Sequence, residues 1–321
     1  MYPIKFIPIL KEKVWGGTKL QKLFNKNTNS ENVGESWEIS GVASNVSIVQ
    51  NGVLQGKLLT ELIQDFKSAL VGERVYNTFG NTFPLLFKFI DAKEDLSVQL
   101  HPSDELAKNR HNSFGKNEMW YILNSEKQGK LVIGFNQNMN ETLYKKHLQD
   151  NTLSEILHFE NVKKGDTYFI ETGIVHAIGA GVVLAEIQQT SDVTYRIYDY
   201  NRPGINGELR ELHTDLALKA INFKPVKFKL SSENKLDTPV QLCKTKYFQT
   251  NKIEITKKIN RDLKNIDSFV VYMCLEGEGS IIINDNSEEF KKGDTLLIPA
   301  QIDFIEIISI NATILEVYIP K

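Results

Sequence analysis

The sequence predicts a mainly β protein made of two jelly-roll β-barrels, with helical insertions in its N-terminal part. Three observations carry this reading. The run Lys163-Lys164-Gly165-Asp166-Thr167-Tyr168-Phe169-Ile170 recurs as Lys291-Lys292-Gly293-Asp294-Thr295-Leu296-Leu297-Ile298, identical at six of eight positions and apolar or aromatic at the other two. A Gly-Asp turn feeding an apolar strand is common once, but two copies with like flanks point to duplicated modules. Secondly, residues 269–274 and 279–283 read as strands, and Asn284-Asp285-Asn286 as a turn, which makes a compact module of short antiparallel strands around the second copy. Thirdly, short apolar runs broken by Gly and Asn dominate the chain up to about residue 210, with helical periodicity in a few places only.

In chain order, the first 55 residues carry alternating runs such as Trp37-Glu38-Ile39-Ser40 and Val46-Ser47-Ile48-Val49, with Asn51-Gly52 as a turn. Residues 60–75 show the first long helical pattern, an apolar stripe of Leu62, Ile63, Phe66, Leu70 and Val71. The continuous run 83–90 reads as a buried strand. Residues 96–101 alternate as a half-buried strand that Pro102 ends, and Ser103-Asp104-Glu105 opens a short helix. Residues 116–121 and 131–135 read as further strands, 140–159 as one or two helices, 182–188 as a strand and 211–221 as a helix. The polar stretch 223–239, with Pro225 and Pro239, reads as a linker. The expected division is therefore 1–222 for a first barrel with its insertions, 223–239 for the linker and 240–321 for a second barrel.

The residues that can do chemistry gather in the first barrel. Gln99 and His101 share one face of their strand, Lys116 and Glu118 one face of theirs, and His176 follows the turn at Gly173. Two His, one Glu and one Gln amide suit a Zn²⁺ or Fe²⁺ ion with room for water or substrate. A histidine at a strand end serves as readily as a hydrogen-bonded wall residue, so spacing alone leaves both readings open. The repeat weighs between them. His176 lies eleven residues after Gly165, eleven after Gly293 is Phe304, and no His follows His213. That asymmetry suggests one working barrel with a metal and one structural barrel without.

Composition excludes several classes. The 321 residues are 41% hydrophobic and 24% charged, with 38 Lys+Arg against 40 Asp+Glu, so nothing draws the chain to nucleic acid or an anionic membrane. No signal-peptide h-region and no membrane-length apolar run is present. Cys243 and Cys274 lack C-x-x-C spacing and read as reduced core residues of a cytoplasmic protein.

Taken together, the Gly-Asp turn, the strand and the His after a second turn resemble the second cupin motif. The wider set resembles the type I mannose-6-phosphate isomerase family in its short bacterial form. The motifs are Trp15-Gly16-Gly17, Gly34-Glu35-Ser36-Trp37-Glu38, Val98-Gln99-Leu100-His101-Pro102, Lys116-Asn117-Glu118-Met119, His176-Ala177-Ile178 and Tyr195-Arg196-Ile197-Tyr198-Asp199-Tyr200-Asn201-Arg202. The resemblance implies that Gln99, His101, Glu118 and His176 hold one zinc per chain, with Arg196 the active-site arginine. The implied reaction interconverts mannose 6-phosphate and fructose 6-phosphate through an enediol(ate), whose charge a Lewis-acidic metal and a guanidinium would stabilise. Glu186 is one candidate base and a water at the metal another; Glu186 reads equally as a strand carboxylate paired with a basic neighbour. Lys116 and Arg202 are expected to grip the phosphate, although Lys116 could simply pack on Trp120 and Arg202 could be solvated. Trp15, Trp37 and Glu38 are candidates to line the pocket, with a core role as the alternative. Two rival functions stand beside the isomerase: a two-His, one-carboxylate Fe(II) oxygenase, and a sugar-phosphate-binding protein without turnover. The expected partner is a small sugar phosphate, and the oligomeric state is left open.

Overall fold

The computed structural model describes residues 1–225, 227–284 and 286–321. Twelve strands form the first barrel's two facing sheets. One sheet runs in the order Lys229–Leu230, Thr167–Ile170, Glu118–Ser125, Val182–Gln189, Leu85–Asp91, Val33–Ile39, Ile9–Gly17, the other Tyr195–Tyr198, Val98–Leu100, His176–Ile178, Lys130–Phe135, Leu157–Asn161. Their inner faces meet in a cluster that includes Ile90, Trp120, Ile122 and Leu184 from the first sheet and Leu131, Ile133 and Ile178 from the second. The second barrel pairs a six-stranded sheet with the four strands Ile259–Asp262, Phe304–Ile308, Glu278–Ile283 and Asn286–Lys291, around a core of its own. The chain is thus mainly β, with cupin-type barrels and few helices.

The continuous apolar runs are explained by where their two faces go. Leu85–Asp91 and Val182–Gln189 are buried at every position. Phe87, Phe89, Val183, Ala185 and Ile187 face outward into a cluster shared with Phe248, Val271, Leu297 and Leu315 of the second barrel. Lys88, Ile90, Leu184 and Glu186 face inward. A strand clamped between a barrel interior and a second barrel needs no polar face, so alternation disappears.

The repeat has a local cause. In both copies glycine takes a positive φ, +89° at Gly165 and +92° at Gly293, and the next residue's carboxylate accepts the backbone N–H of the first lysine, at 3.1 Å for Asp166 and 3.2 Å for Asp294.

Several boundaries differ from expectation. The helix over 60–75 is three pieces, Leu59–Phe66, Ser68–Val71 and Glu73–Phe79, because Lys67 and Gly72 adopt positive φ and break the ladder. Residues 140–159 give the helix Glu141–Gln149 and a 3₁₀ turn, Leu153–Ile156, before the chain joins the sheet as Leu157–Asn161. Of 211–221 only Thr214–Leu218 is helical. Some segments connect the two modules. Ile4–Lys5 pairs with Leu296 and Leu297 and so belongs to the second barrel's sheet. Within the expected linker, Lys229–Leu230 pairs with Thr167–Ile170 of the first barrel, and Leu236 bridges to Glu254 of the second. Val226 in that stretch, and Asp285 in the expected turn 284–286, lie outside the described residues. Both cysteines are free and buried, and burial pushes their thiols up to about 12. Among the described residues, no helix is long and apolar enough to cross a membrane.

Candidate active site and metal centre

Strand register builds the site from two opposed rows. In one sheet Arg196 lies beside Gln99 and Gln99 beside His176, so all three share the inward face. In the facing sheet Trp120 lies beside Glu186, Glu186 beside Lys88 and Lys88 beside Trp37. Between the rows is a pocket of about 300 Å³, lined among others by Trp15, Gln99, Lys116, His176, Glu186 and Arg196. Trp15 is seated by the absence of a side chain opposite: a Cβ on Gly34 would stand 2.5 Å from its ring.

At the pocket floor His101, Glu118 and His176 are each 1% exposed, and one ligand atom from each lies within 4.8 Å of the others. Both imidazoles are oriented through Nδ1, which donates to Val193 O at 2.9 Å in His101 and to Ile174 O at 2.8 Å in His176. That leaves each Nε2 lone pair turned towards Glu118, at 3.2 Å from His101 and 3.8 Å from His176. Burial, then the Lys116 ammonium, pushes His101 down to about 4, and burial lowers His176, so both rings are neutral at neutral pH. Burial opposes the charge on Glu118, but Lys116 and then His101 outweigh it and hold the carboxyl well below its usual range. Glu118 Oε1 is met by Lys116 at 2.7 Å, whereas among the described residues Glu118 Oε2 and His176 Nε2 have no hydrogen-bond partner, although buried polar atoms are nearly always satisfied. Two neutral imidazoles presenting Nε2, each fixed by a backbone acceptor, and a buried carboxylate with a free oxygen fit a divalent metal ion. Gln99 stands next to His176 in register, and its Oε1 accepts from Ser97 Oγ at 3.4 Å.

The charged wall contains residues that the sequence did not single out. Glu186 Oε1 is 2.9 Å from Lys88 Nζ and its Oε2 accepts from Trp120 Nε1 at 2.8 Å, so the pairing alternative for Glu186 holds and the carboxylate still faces the pocket. Beyond Lys88 come Glu35, 3.9 Å away, and Lys13, 3.1 Å from Glu35. Lys88 was visible in principle, since a lysine inside an apolar run is buried only when paired. Arg196 Nε donates to Ser97 Oγ at 3.3 Å and Nη1 to Glu211 O at 2.9 Å, and among the described residues no carboxylate lies within salt-bridge reach of it.

Three of the candidate binding residues are held by partners of their own. Lys116 does not reach the far end of the pocket, because its ammonium is buried 2.7 Å from Glu118 Oε1 and 3.3 Å from His101 Nε2. Arg202 is held outside by Glu94, Asp199 and the Asp95 carbonyl; Arg210, gripped through two nitrogens by Asp199, lines the pocket instead. Glu38 points away, into a buried pair with Lys26, which also donates to Gly293 O of the second barrel. The strand's alternation explains this: Glu35 and Trp37 share one face and Glu38 the other.

The second barrel carries other residues in the same region. Tyr272 lies beside Leu296 and Glu316 as Trp120 lies beside Tyr168 and Glu186, and Tyr272 Oη donates to Glu316 at 2.8 Å. The counted residue Phe304 opens its strand eleven residues after Gly293, as His176 does after Gly165, but it is half exposed, while the next residue, Ile305, is buried and pairs with Arg261. Val270, beside Ile298 as Glu118 is beside Ile170, stands for Glu118. Arg261 reaches across to Glu316 through two nitrogens and closes the barrel where the first is open.

Fold and site together define a cupin-type double barrel with, among the described residues, a single two-His, one-Glu cluster. Residues 4–147 match the family model for the catalytic domain of type I phosphomannose isomerase, and residues 239–319 that for the mannose-6-phosphate isomerase cupin domain. The chain is 36% identical to the mannose-6-phosphate isomerase ManA of Bacillus subtilis over 92% of its own length and 93% of the relative's, and 32% identical to the mannose-6-phosphate isomerase of Streptococcus mutans over 90% and 89%. The crystal structure of the Bacillus subtilis mannose 6-phosphate isomerase superposes with a TM-score of 0.91 at 32% identity, covering 99% of both chains. The chain belongs to the type I mannose-6-phosphate isomerase family, which sets aside the oxygenase and the non-catalytic binding protein.

Proposed function

We propose that this chain interconverts D-mannose 6-phosphate and D-fructose 6-phosphate with one zinc ion held by Gln99, His101, Glu118 and His176. The observation that supports the metal is the pair of neutral imidazoles presenting Nε2 to the buried carboxylate of Glu118, whose Oε2 has no hydrogen-bond partner among the described residues. Bound there, the ion would supply Lewis acidity to the sugar oxygens at the reacting carbons.

The chain's own groups divide the remaining work. Isomerisation takes a proton from C2 of the aldose and returns one to C1. Glu186, on the wall opposite Gln99 and Arg196, is the carboxylate set to carry it. Lys116, buried against two ligand residues, offers its donors to the sugar oxygens at the same end. Arg196, without a carboxylate partner, stabilises the negative charge that grows on the enediolate. The phosphate then lies at Arg210, whose guanidinium Asp199 fixes in orientation.

The test is a coupled isomerase assay with mannose 6-phosphate on zinc-loaded and chelator-treated protein. Activity is expected in the first, lost in the second and restored by zinc, at about one equivalent per chain because the second barrel has no ligand set. His101→Ala and His176→Ala should lose metal and turnover together. Full activity in metal-free protein would overturn the metal reading, and two tightly bound equivalents would overturn the single-site reading.

A further inference from the structure

The two ligands His101 and Glu118 sit at either end of one segment, which leaves the barrel after His101, forms the helix Asp104–His111 and returns as Glu118–Ser125. Backbone bonds hold its ends, with Gly173 N donating to His101 O at 2.8 Å and Glu118 entering the sheet between Ile170 and Gln188, and a side-chain network holds what lies between. Asp104 Oδ1 accepts from Gly115 N at 3.0 Å and so closes the segment on itself. The same oxygen accepts from Gln189 Nε2 at 3.0 Å, and Gln189 Oε1 accepts from Asn117 N at 3.0 Å and Asn117 Nδ2 at 2.7 Å. Asn117 Oδ1 in turn accepts from Thr172 N at 3.2 Å. Asn117, between Lys116 and Glu118, is 5% exposed, as is Gln189.

One member of this network comes from the other barrel. Tyr247 lies in the turn between Val240–Lys244 and Gln249–Ile255, and its hydroxyl donates to Asp104 Oδ2 at 2.5 Å. A hydroxyl to a carboxylate at that distance is among the stronger hydrogen bonds a protein makes. Asp104 thus has one oxygen for the segment and one for the second barrel.

We infer that Tyr247 is a positioning residue: the metal-free barrel uses it, through Asp104, Gln189 and Asn117, to fix the segment that carries His101 and Glu118 and so to set the affinity of the metal site. This rests on the metal reading proposed above. It also gives the second barrel a role in the chemistry of the first. Groups that orient ligands from behind commonly change metal affinity by 10- to 100-fold when removed.

The test uses Tyr247→Phe, which keeps the ring and deletes only the hydroxyl, in the full chain. Zn²⁺ affinity is measured by competition with a chromophoric chelator, and the melting temperature of the metal-free protein is recorded beside it. The expected result is roughly a 10-fold loss of Zn²⁺ affinity with little change in the metal-free melting temperature. Asp104→Asn should weaken binding too, and adding Tyr247→Phe to it should cost nothing further, because both changes cut one connection. Wild-type affinity in Tyr247→Phe, or a lowered melting temperature with affinity unchanged, would overturn the positioning role and leave the metal reading intact. A wild-type chain that binds no Zn²⁺ would overturn both.

Discussion

Single side chains in the pocket differ less in type than in what already holds them. Among the described residues, Lys13, Lys88 and Lys116 each face a carboxylate, Arg210 has Asp199, and Arg196 has a hydroxyl and a carbonyl but no carboxylate. A cation without a counter-ion is free to answer new negative charge. Arg196→Ala should therefore lower kcat about 10²-fold with metal still bound. Arg210→Met should instead lower kcat/KM for mannose 6-phosphate by about 10- to 150-fold, the equivalent of about 1.5–3 kcal/mol, and leave the slow turnover of free mannose unchanged. An unaltered ratio between the two sugars would remove Arg210 from the phosphate end. Glu35 gives a second prediction. Burial opposes its charge, but Lys88 and then Lys13 outweigh it and bring the carboxyl to about 2. The unfolded chain protonates that group near its ordinary value of 4.5, so between about 4.5 and about 2 the unfolded state binds more protons. Stability is then present above this window and lost as pH falls through it, by up to about 3 kcal/mol. In metal-free protein, the gap in melting temperature between wild type and Glu35→Gln should narrow as pH drops from 5 to 3; a constant gap would mean that the carboxylate is not specially stabilised by the fold.

At the scale of elements, what the sequence made legible is what depends on local pattern. The Gly-Asp turns, the strand ending at Pro102, the Ser103 cap and the shared face of Gln99 and His101 follow from period, chirality and missing donors. The three-way break of residues 60–75 follows from backbone angles at Lys67 and Gly72 that an apolar stripe does not report. The exchange of Glu38 for Glu35, and of Arg202 for Arg210, was hidden for a different reason: which face of a strand, or which arm of a loop, meets the pocket is decided by the partner sheet. Likewise equal spacing carried the count to Phe304, but spacing does not set which face of that strand meets the core: Phe304 is half exposed and Ile305 lies inside. The repeated turn offers a controlled comparison. A Cβ on Gly165 would meet only Tyr121 Oη at 3.9 Å, whereas on Gly293 it would meet Phe24 O at 2.7 Å. Both alanine variants carry the strain of a positive φ, of order 1 kcal/mol, but Gly293→Ala must also push the two barrels apart. Chemical denaturation should show Gly293→Ala as clearly the more destabilising; equal losses would place the whole cost in the backbone angle.

The whole molecule is organised around the seam between the barrels rather than around either barrel alone. The seam joins Phe87, Phe89 and Ile187 of the first to Phe248, Val271 and Leu315 of the second, with Leu62 and Leu70 of the helical insertion packed in the same cluster. Each such side chain contributes about 1.5–3 kcal/mol on burial, so the shared cluster outweighs what a typical domain has to spare. Three connections tighten it: Ile4–Lys5 lies in the second barrel's sheet while Phe6 bridges to Val49, Lys26 ties Glu38 to Gly293 O, and Tyr247 holds Asp104. Neither barrel can lose its partner without exposing a face that is apolar throughout. The chain should then unfold in a single cooperative step despite having two cores. Phe248→Ala, at a side chain with no exposed surface, should cost about 3–5 kcal/mol and lower the one transition as a whole. Calorimetry would read the number of transitions, and release of the metal into a chromophoric chelator would report the first barrel separately. Coincidence of heat absorption and metal release in both wild type and Phe248→Ala is the expected result. A second barrel that melts first while the metal stays bound would show that the seam is a contact between independent domains, and that the active barrel keeps its shape without its partner.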